Sequence, residues 1–186
     1  MSSKQHEKRL EKDRNLRKTL WPSIQDSALW IKRKGFAPVP RTMALIMVIM
    51  DHLSPTKKVS LTYLELWCRA NGAGFVHLRN QEDLAFHSGF IKKQRQLSSW
   101  RGRLDILQEL KFIDIQPGSR GEKSYALIWN PYHVIEQSHK DSIPLALYNA
   151  LKDRAREIGA DDFEPAENIT PEPIHEKHEE IFNPFD

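Results

Sequence analysis

Arg95, Ser98 and Gly102 recur at spacings of three and four, so at 100° per residue they fall on one side of a helix, with Gln94, Ser99 and Arg101 beside them. These residue types form hydrogen bonds to polar edges and phosphates. Arginine pairs bidentately with a guanine edge, glutamine with adenine and serine with phosphate, while a glycine lets the backbone come close to a groove. Lys92 and Lys93 stand at the start of the same segment, Arg103 lies on its flank, and Arg120 and Lys123 lie in a glycine-containing stretch further on. Those five cations are candidates for phosphate contacts, which hold a protein on a duplex without reading it. The segment carries no acid before Asp105. Taken alone, this pattern also describes a solvated polar face with a tolerated glycine.

Other chemistries find less support. His175 and His178 have the spacing of metal ligands, but they stand in an acidic, proline-containing stretch with no third ordered ligand, so no metal or other cofactor is expected. Cys68 follows Trp67 on a helical pattern and reads as a small packed residue rather than a nucleophile. Trp21, Trp30, Trp67, Trp100 and Trp129 read as core or interface residues. There is no phosphate-binding Walker loop, no serine elbow and no paired-carboxylate signature, so no catalytic residue is assigned and the chain is not expected to be an enzyme.

The polar face needs an apolar one behind it, and Leu97, Trp100, Leu104, Leu107 and Leu110 supply it on a helix expected over 92–111. Upstream, residues 41–53 read as a helix buried on most sides, and Ser60 as the N-cap of a second helix carrying Tyr63, Leu66, Trp67 and Ala70. A turn at 71–74 leads to a short strand, Phe75 to Leu78, and Asn80 with Asp83 caps a third, short helix ending near Gly89. Downstream, residues 112–116 and 124–129 form a β-hairpin around a long basic loop at 117–123. Asn130-Pro131 opens a helix to about 138, and a last helix with Leu145, Tyr148, Leu151, Ala155 and Ile158 on one face stops at Gly159.

This order resembles the winged-helix proteins. The likeness rests on Glu82-Asp83-Leu84-Ala85-Phe86-His87-Ser88-Gly89-Phe90, similar to the first helix and turn of a helix-turn-helix, and on Trp100-Arg101-Gly102-Arg103-Leu104-Asp105-Ile106-Leu107-Gln108-Glu109-Leu110-Lys111-Phe112-Ile113, similar to the leucine-rich helix that runs into a wing strand. It spans about half the chain, and it departs from the common pattern because Leu97 comes about two positions late, so the turn is longer or the helix starts earlier. Plasmid-borne regulators and replication initiators of bacteria carry similar stretches. The resemblance implies a mainly α fold with a small β-hairpin, a winged helix-turn-helix with additional flanking helices. It also implies sequence-specific binding of double-stranded DNA by a transcriptional regulator or plasmid maintenance factor. Alternatives are a replication initiator or partition accessory protein, and a winged-helix interaction module that does not touch DNA.

Charge is unevenly spread over the 186 residues: +6 through Lys34, +5 over 35–160 and −8 over 161–186. A basic body suits a polyanion. The expected organisation is a basic arm with a short helix near 23–32 (1–37), the DNA-binding domain (38–130), C-terminal helices that serve as a possible dimer contact (131–160), and an acidic disordered tail (161–186). Ile181, Phe182 and Phe185 could dock that tail on a protein partner. The longest apolar run, Met43 to Met50, is too short to span a bilayer. With no apolar leader at the N-terminus and one cysteine, the expected location is the bacterial cytoplasm, associated with nucleoid or plasmid.

Overall fold

A computed structural model describes residues 38–70, 74–92, 94–160 and Phe163, together with Lys8, Glu11, Lys12, Asn15, Leu16 and Thr19. The chain divides into two units, Met1–Ala37 and Pro38–Asp186. In the first, the six described residues are helical and exposed, and Thr19 donates its hydroxyl to the Asn15 carbonyl at 3.1 Å. Lysine, glutamate and leucine all favour a helix, in keeping with the conformation of these six residues. The helix expected at 23–32 lies outside the described residues, as does the tail apart from Phe163.

The second unit contains α1 (Met43–Leu53), α2 (Ser60–Arg69), β1 (Phe75–His77), α3 (Gln81–His87), α4 (Gln96–Glu109), β2 (Ile113–Gly118), β3 (Gly121–Ile128), α5 (Pro131–Val134) and α6 (Leu145–Ile158). A π-helical turn, Ile135–His139, and a 3₁₀ turn, Lys140–Ser142, join α5 to α6. The fold is mostly helical with one small antiparallel sheet, in the order β1-β3-β2. No helix among the described residues is long and apolar enough to cross a membrane.

Met43, Ile46, Ile49 and Met50 turn one side of α1 into the core, whereas Val48 is 51% exposed. The helix is therefore amphipathic, not buried on most sides as its composition suggested. Ser60 is the first residue of α2 and not its cap. The cap comes from α1: the Asp51 carboxylate accepts from the Val59 and Ser60 backbone N–H groups, each at 3.0 Å, and from the Ser60 hydroxyl at 2.9 Å. One carboxylate satisfies the open end of α2 and fixes its angle to α1.

Strand β3 is central. It pairs Val76 with Ala126 on one side and Ile115 with Ala126 on the other, so the inner faces of all three strands meet at one small side chain. The hairpin is tighter than expected. Gly118 pairs with Gly121, leaving a two-residue tip, Ser119-Arg120, where a seven-residue loop was read, and a register shift falls between Gln116 and Gly118. Pro117 sits at that irregularity on an edge strand, where its missing N–H costs no ladder bond.

Helix α4 ends at Leu110, with Lys111 in the left-handed region at φ 61°. The Phe112 N–H returns to the Leu107 carbonyl and the Lys111 N–H to Gln108, while the side chains of Leu107 and Phe112 are both fully buried. This is a Schellman stop made without the usual glycine. At α6 the glycine is present: Gly159 adopts φ 71° and ends the helix where the sequence placed its stop. Asn130 caps α5 as read, its side chain accepting from the Tyr132 N–H at 3.0 Å.

Tyr148, Leu151 and Ala155 of α6 are buried in the same core as α1, so the middle of the second apolar stripe is covered by its own chain and does not call for a dimer, while Leu145 at its start is 70% exposed. Glu136 ties this end together, accepting from the Tyr148 hydroxyl and from Lys140 at 3.3 Å. Burial pushes its carboxyl up, but the Tyr148 and Lys140 hydrogen bonds and the Lys140 and Lys152 charges outweigh that, leaving it below the usual range. Phe163, inside the stretch read as unburied, packs edge-on against Tyr132 with centroids 5.0 Å apart.

Asp51→Ala leaves three donors at the start of α2 without their acceptor and is expected to destabilise the fold by about 1–3 kcal/mol, read from urea unfolding. Lys111→Gly should do the reverse. Relief of the left-handed backbone is worth about 1 kcal/mol less the glycine entropy cost, so Tm should rise by a degree or more, on the order of 2–4 °C per kcal/mol for a chain this long. For Glu136 the folded carboxyl titrates lower than the unfolded one, so its contribution is present above the unfolded value and lost as pH falls through the folded one. Glu136→Gln should therefore flatten the acid limb of the stability curve, followed by thermal unfolding from pH 6 to 3.

Candidate nucleic-acid interface

Helix α3 begins on Asn80 as its N-cap, paired with Asp83. The Asn80 side chain accepts from the Asp83 N–H at 3.4 Å and donates to the Asp83 carboxylate at 2.5 Å, as the sequence indicated. Leu84 and Ala85 are buried, and the small Ala85 side chain lets α4 approach. The chain then turns at Gly89, whose φ of 90° suits glycine alone. Ser88 holds this turn to α4: its hydroxyl donates to the Leu84 carbonyl at 2.7 Å and accepts from the Trp100 indole N–H at 3.2 Å, all buried.

The following helix starts at Gln96, four residues later than 92. Arg95 is its N-cap in the left-handed region at φ 62°, with no side-chain cap. Its carbonyl accepts from the Ser99 N–H at 2.9 Å and the Ser98 hydroxyl at 3.1 Å. Lys92, Gln94 and Arg95 therefore stand exposed in the turn before α4 and not on its face, while Lys93 lies outside the described residues. The longer of the two turns that the late Leu97 allowed is the one formed. Gln96 anchors the new helix start to α3 through the Glu82 carbonyl at 3.2 Å.

On α4 itself Ser98 and Arg101 are exposed and Ser99, Gly102 and Arg103 half-buried, opposite the buried stripe Trp100, Leu104 and Leu107. Several cations are already engaged. Arg101 donates to the Gln81 side chain at 2.8 Å, and Arg103 donates to the Lys58 carbonyl at 2.9 Å and lies 5.5 Å from the Phe90 ring centroid. Lys123 forms an ion pair with Asp105 across from the hairpin. By contrast, the side chains of Lys92, Arg95 and Arg120 make no hydrogen bond or ion pair with any described residue, and Arg120 stands at the hairpin tip.

Two further residues belong to this surface and were not singled out from the sequence. Gln81 accepts from Arg101 and donates to the Lys123 carbonyl at 2.7 Å, so one amide at the start of α3 holds both α4 and the hairpin. Arg79 is exposed, without a partner among the described residues, between β1 and α3. Its signal was available, since an arginine follows Leu78 where the apolar strand pattern stops.

The chain matches no protein-family model, no curated protein and no solved structure. Its functional reading rests on this geometry. Among the described residues no group of three His, Cys, Asp or Glu is placed to hold a metal ion, and His175 and His178 lie outside them.

Ser88→Ala deletes the acceptor of a buried indole N–H and is expected to lower stability by about 1–3 kcal/mol in denaturant unfolding. Because the same hydroxyl fixes the turn to α4, amide exchange should rise first in α3 and the start of α4.

Proposed function

We propose that this chain binds double-stranded DNA through the α3–turn–α4 segment and the β2–β3 hairpin, as a winged-helix transcriptional regulator or plasmid maintenance factor. The element order α2-β1-α3-α4-β2-β3, with sheet order β1-β3-β2, is compatible with that fold. The observation that carries the reading is the set of exposed, unpartnered cations, Lys92 and Arg95 before α4 and Arg120 at the hairpin tip, since such groups are available to phosphates and base edges. The engaged cations Arg101, Arg103 and Lys123 act here as braces that set the spacing of α3, α4 and the hairpin.

A second reading is a protein-interaction module. Ile91, 71% exposed, and Phe86, 52% exposed, flank the same turn and give it an apolar character that a phosphate backbone does not need.

The two are separated by fluorescence anisotropy with DNA from upstream of the chain's own coding sequence and with random DNA. Arg95→Gly removes the guanidinium and relieves the left-handed backbone, so it should lose about 1–3 kcal/mol on the specific site, with little loss on random DNA and no loss of Tm. Arg120→Ala should weaken both DNAs alike and reduce the salt slope by about one, because a phosphate contact releases a counterion without reading sequence. If neither variant changes binding, the interaction module is the better account.

A further inference from the structure

At the far end of α4 from the basic turn there is a cavity of about 430 Å³, open to solvent on one side. Its walls are the last turn of α4, strand β2, the Trp129-Asn130 corner and the π-helical turn after α5. Nothing in the DNA-binding reading uses it, and its volume lies in the range that takes a small organic ligand.

Three irregularities of the chain meet there. The π-helical turn contributes Gln137 and Ser138; π-turns are rare and frequent at functional sites. Lys111, on the opposite wall, is held in the left-handed region without being glycine. His133 also lines the cavity, and its Nδ1 is buried with no hydrogen-bond partner, so no bond to that nitrogen fixes the ring's orientation or tautomer.

The lining defines a ligand class. Trp129, Ile113 and Val134 give an aromatic and aliphatic wall against which a planar ring can lie. Gln108, Asn130 and Gln137 bring amides, and Asp114 brings acceptors only: its Oδ1 takes the Gln108 amide N–H at 3.3 Å and its Oδ2 the Gln116 amide N–H at 3.0 Å, which leaves a further lone pair on each oxygen and the Gln108 carbonyl for a ligand. Asn130 spends its carbonyl oxygen on the Tyr132 N–H and keeps its amide N–H groups. Amides and a carboxylate around a stacking surface match the edge of a base with an exocyclic amino group beside a ring nitrogen. With Lys111 and Asp114 both on the walls, no strongly anionic ligand is called for.

We propose that this cavity is a binding site for a nucleoside-sized heteroaromatic ligand bearing an exocyclic amino group, stacked on Trp129 and read by Asp114 and the surrounding amides. Because Gln108 belongs to the last turn of α4, Lys111 to the stop that follows it and Asp114 to β2, occupancy acts on the elements that frame the basic surface. The site stands whether or not that surface binds DNA.

Isothermal titration calorimetry on the full chain, with adenosine, cytidine, guanosine, uridine and free tryptophan, tests it directly. At least one of adenosine, cytidine and guanosine, which all carry an exocyclic amino group, should bind with a Kd below about 1 mM, and uridine at least several-fold more weakly. Trp129→Leu should weaken binding roughly tenfold by removing the stacking surface. Gln137 is exposed, so Gln137→Ala, which should retain the wild-type Tm, serves where the Trp129 variant is unstable, and it should weaken the amino-bearing nucleosides several-fold. Absence of any nucleoside binding at about 1 mM, preference for uridine or tryptophan, or affinity unchanged in the folded variants would each overturn the proposal.

Discussion

A single indole sets the geometry of this molecule. Trp100 is fully buried, and its N–H, which no water reaches, is satisfied by the Ser88 hydroxyl. An indole removes on the order of 200 Å² from water, and with its donor already assigned the ring has one comfortable position. That position fixes the rotation of α4: Leu104 and Leu107 follow Trp100 into the core, and Ser98, Arg101 and Asp105 face outward in consequence. It also fixes the crossing of α3 and α4, since Ser88 belongs to the turn between them.

Around that frame the charged groups divide by what they do for the chain. Arg101, Arg103, Lys123 and Asp105 hold neighbouring elements, with Gln81 bridging α4 and the hairpin. Exposed pairs of this kind add little stability. They do restrict the relative placement of three elements whose tips carry the unpaired cations. A surface built this way presents its free charge from a braced base.

What the sequence made legible were features with a local mechanism: the Asn80 N-cap, the Asn130-Pro131 helix start, the Gly159 stop and the apolar stripe of α4. What it concealed depended on partners far along the chain or on costs met by packing. Ser60 has the chemistry of a cap, yet Asp51, nine residues earlier, does the capping. Arg95 and Lys111 take left-handed conformations that no residue type announced, so the limits of α4 were read too widely at both ends. Its place in the glycine-containing loop gave Lys123 a phosphate-contacting role, and no sequence signal showed its ion pair with Asp105 on a different element. The α6 stripe was visible, but not that its middle, Tyr148, Leu151 and Ala155, joins α1 in one core.

The hairpin's irregularity bears on how copies of this protein meet one another. A three-stranded sheet has two open borders, each a row of amides that could template another chain. Here one border is β1, only three residues long, and the other is β2, interrupted by Pro117 and a register shift. Neither offers a run of matched donors and acceptors long enough for a second sheet to continue it. Edges this short or interrupted are poor templates for end-to-end growth into ribbons.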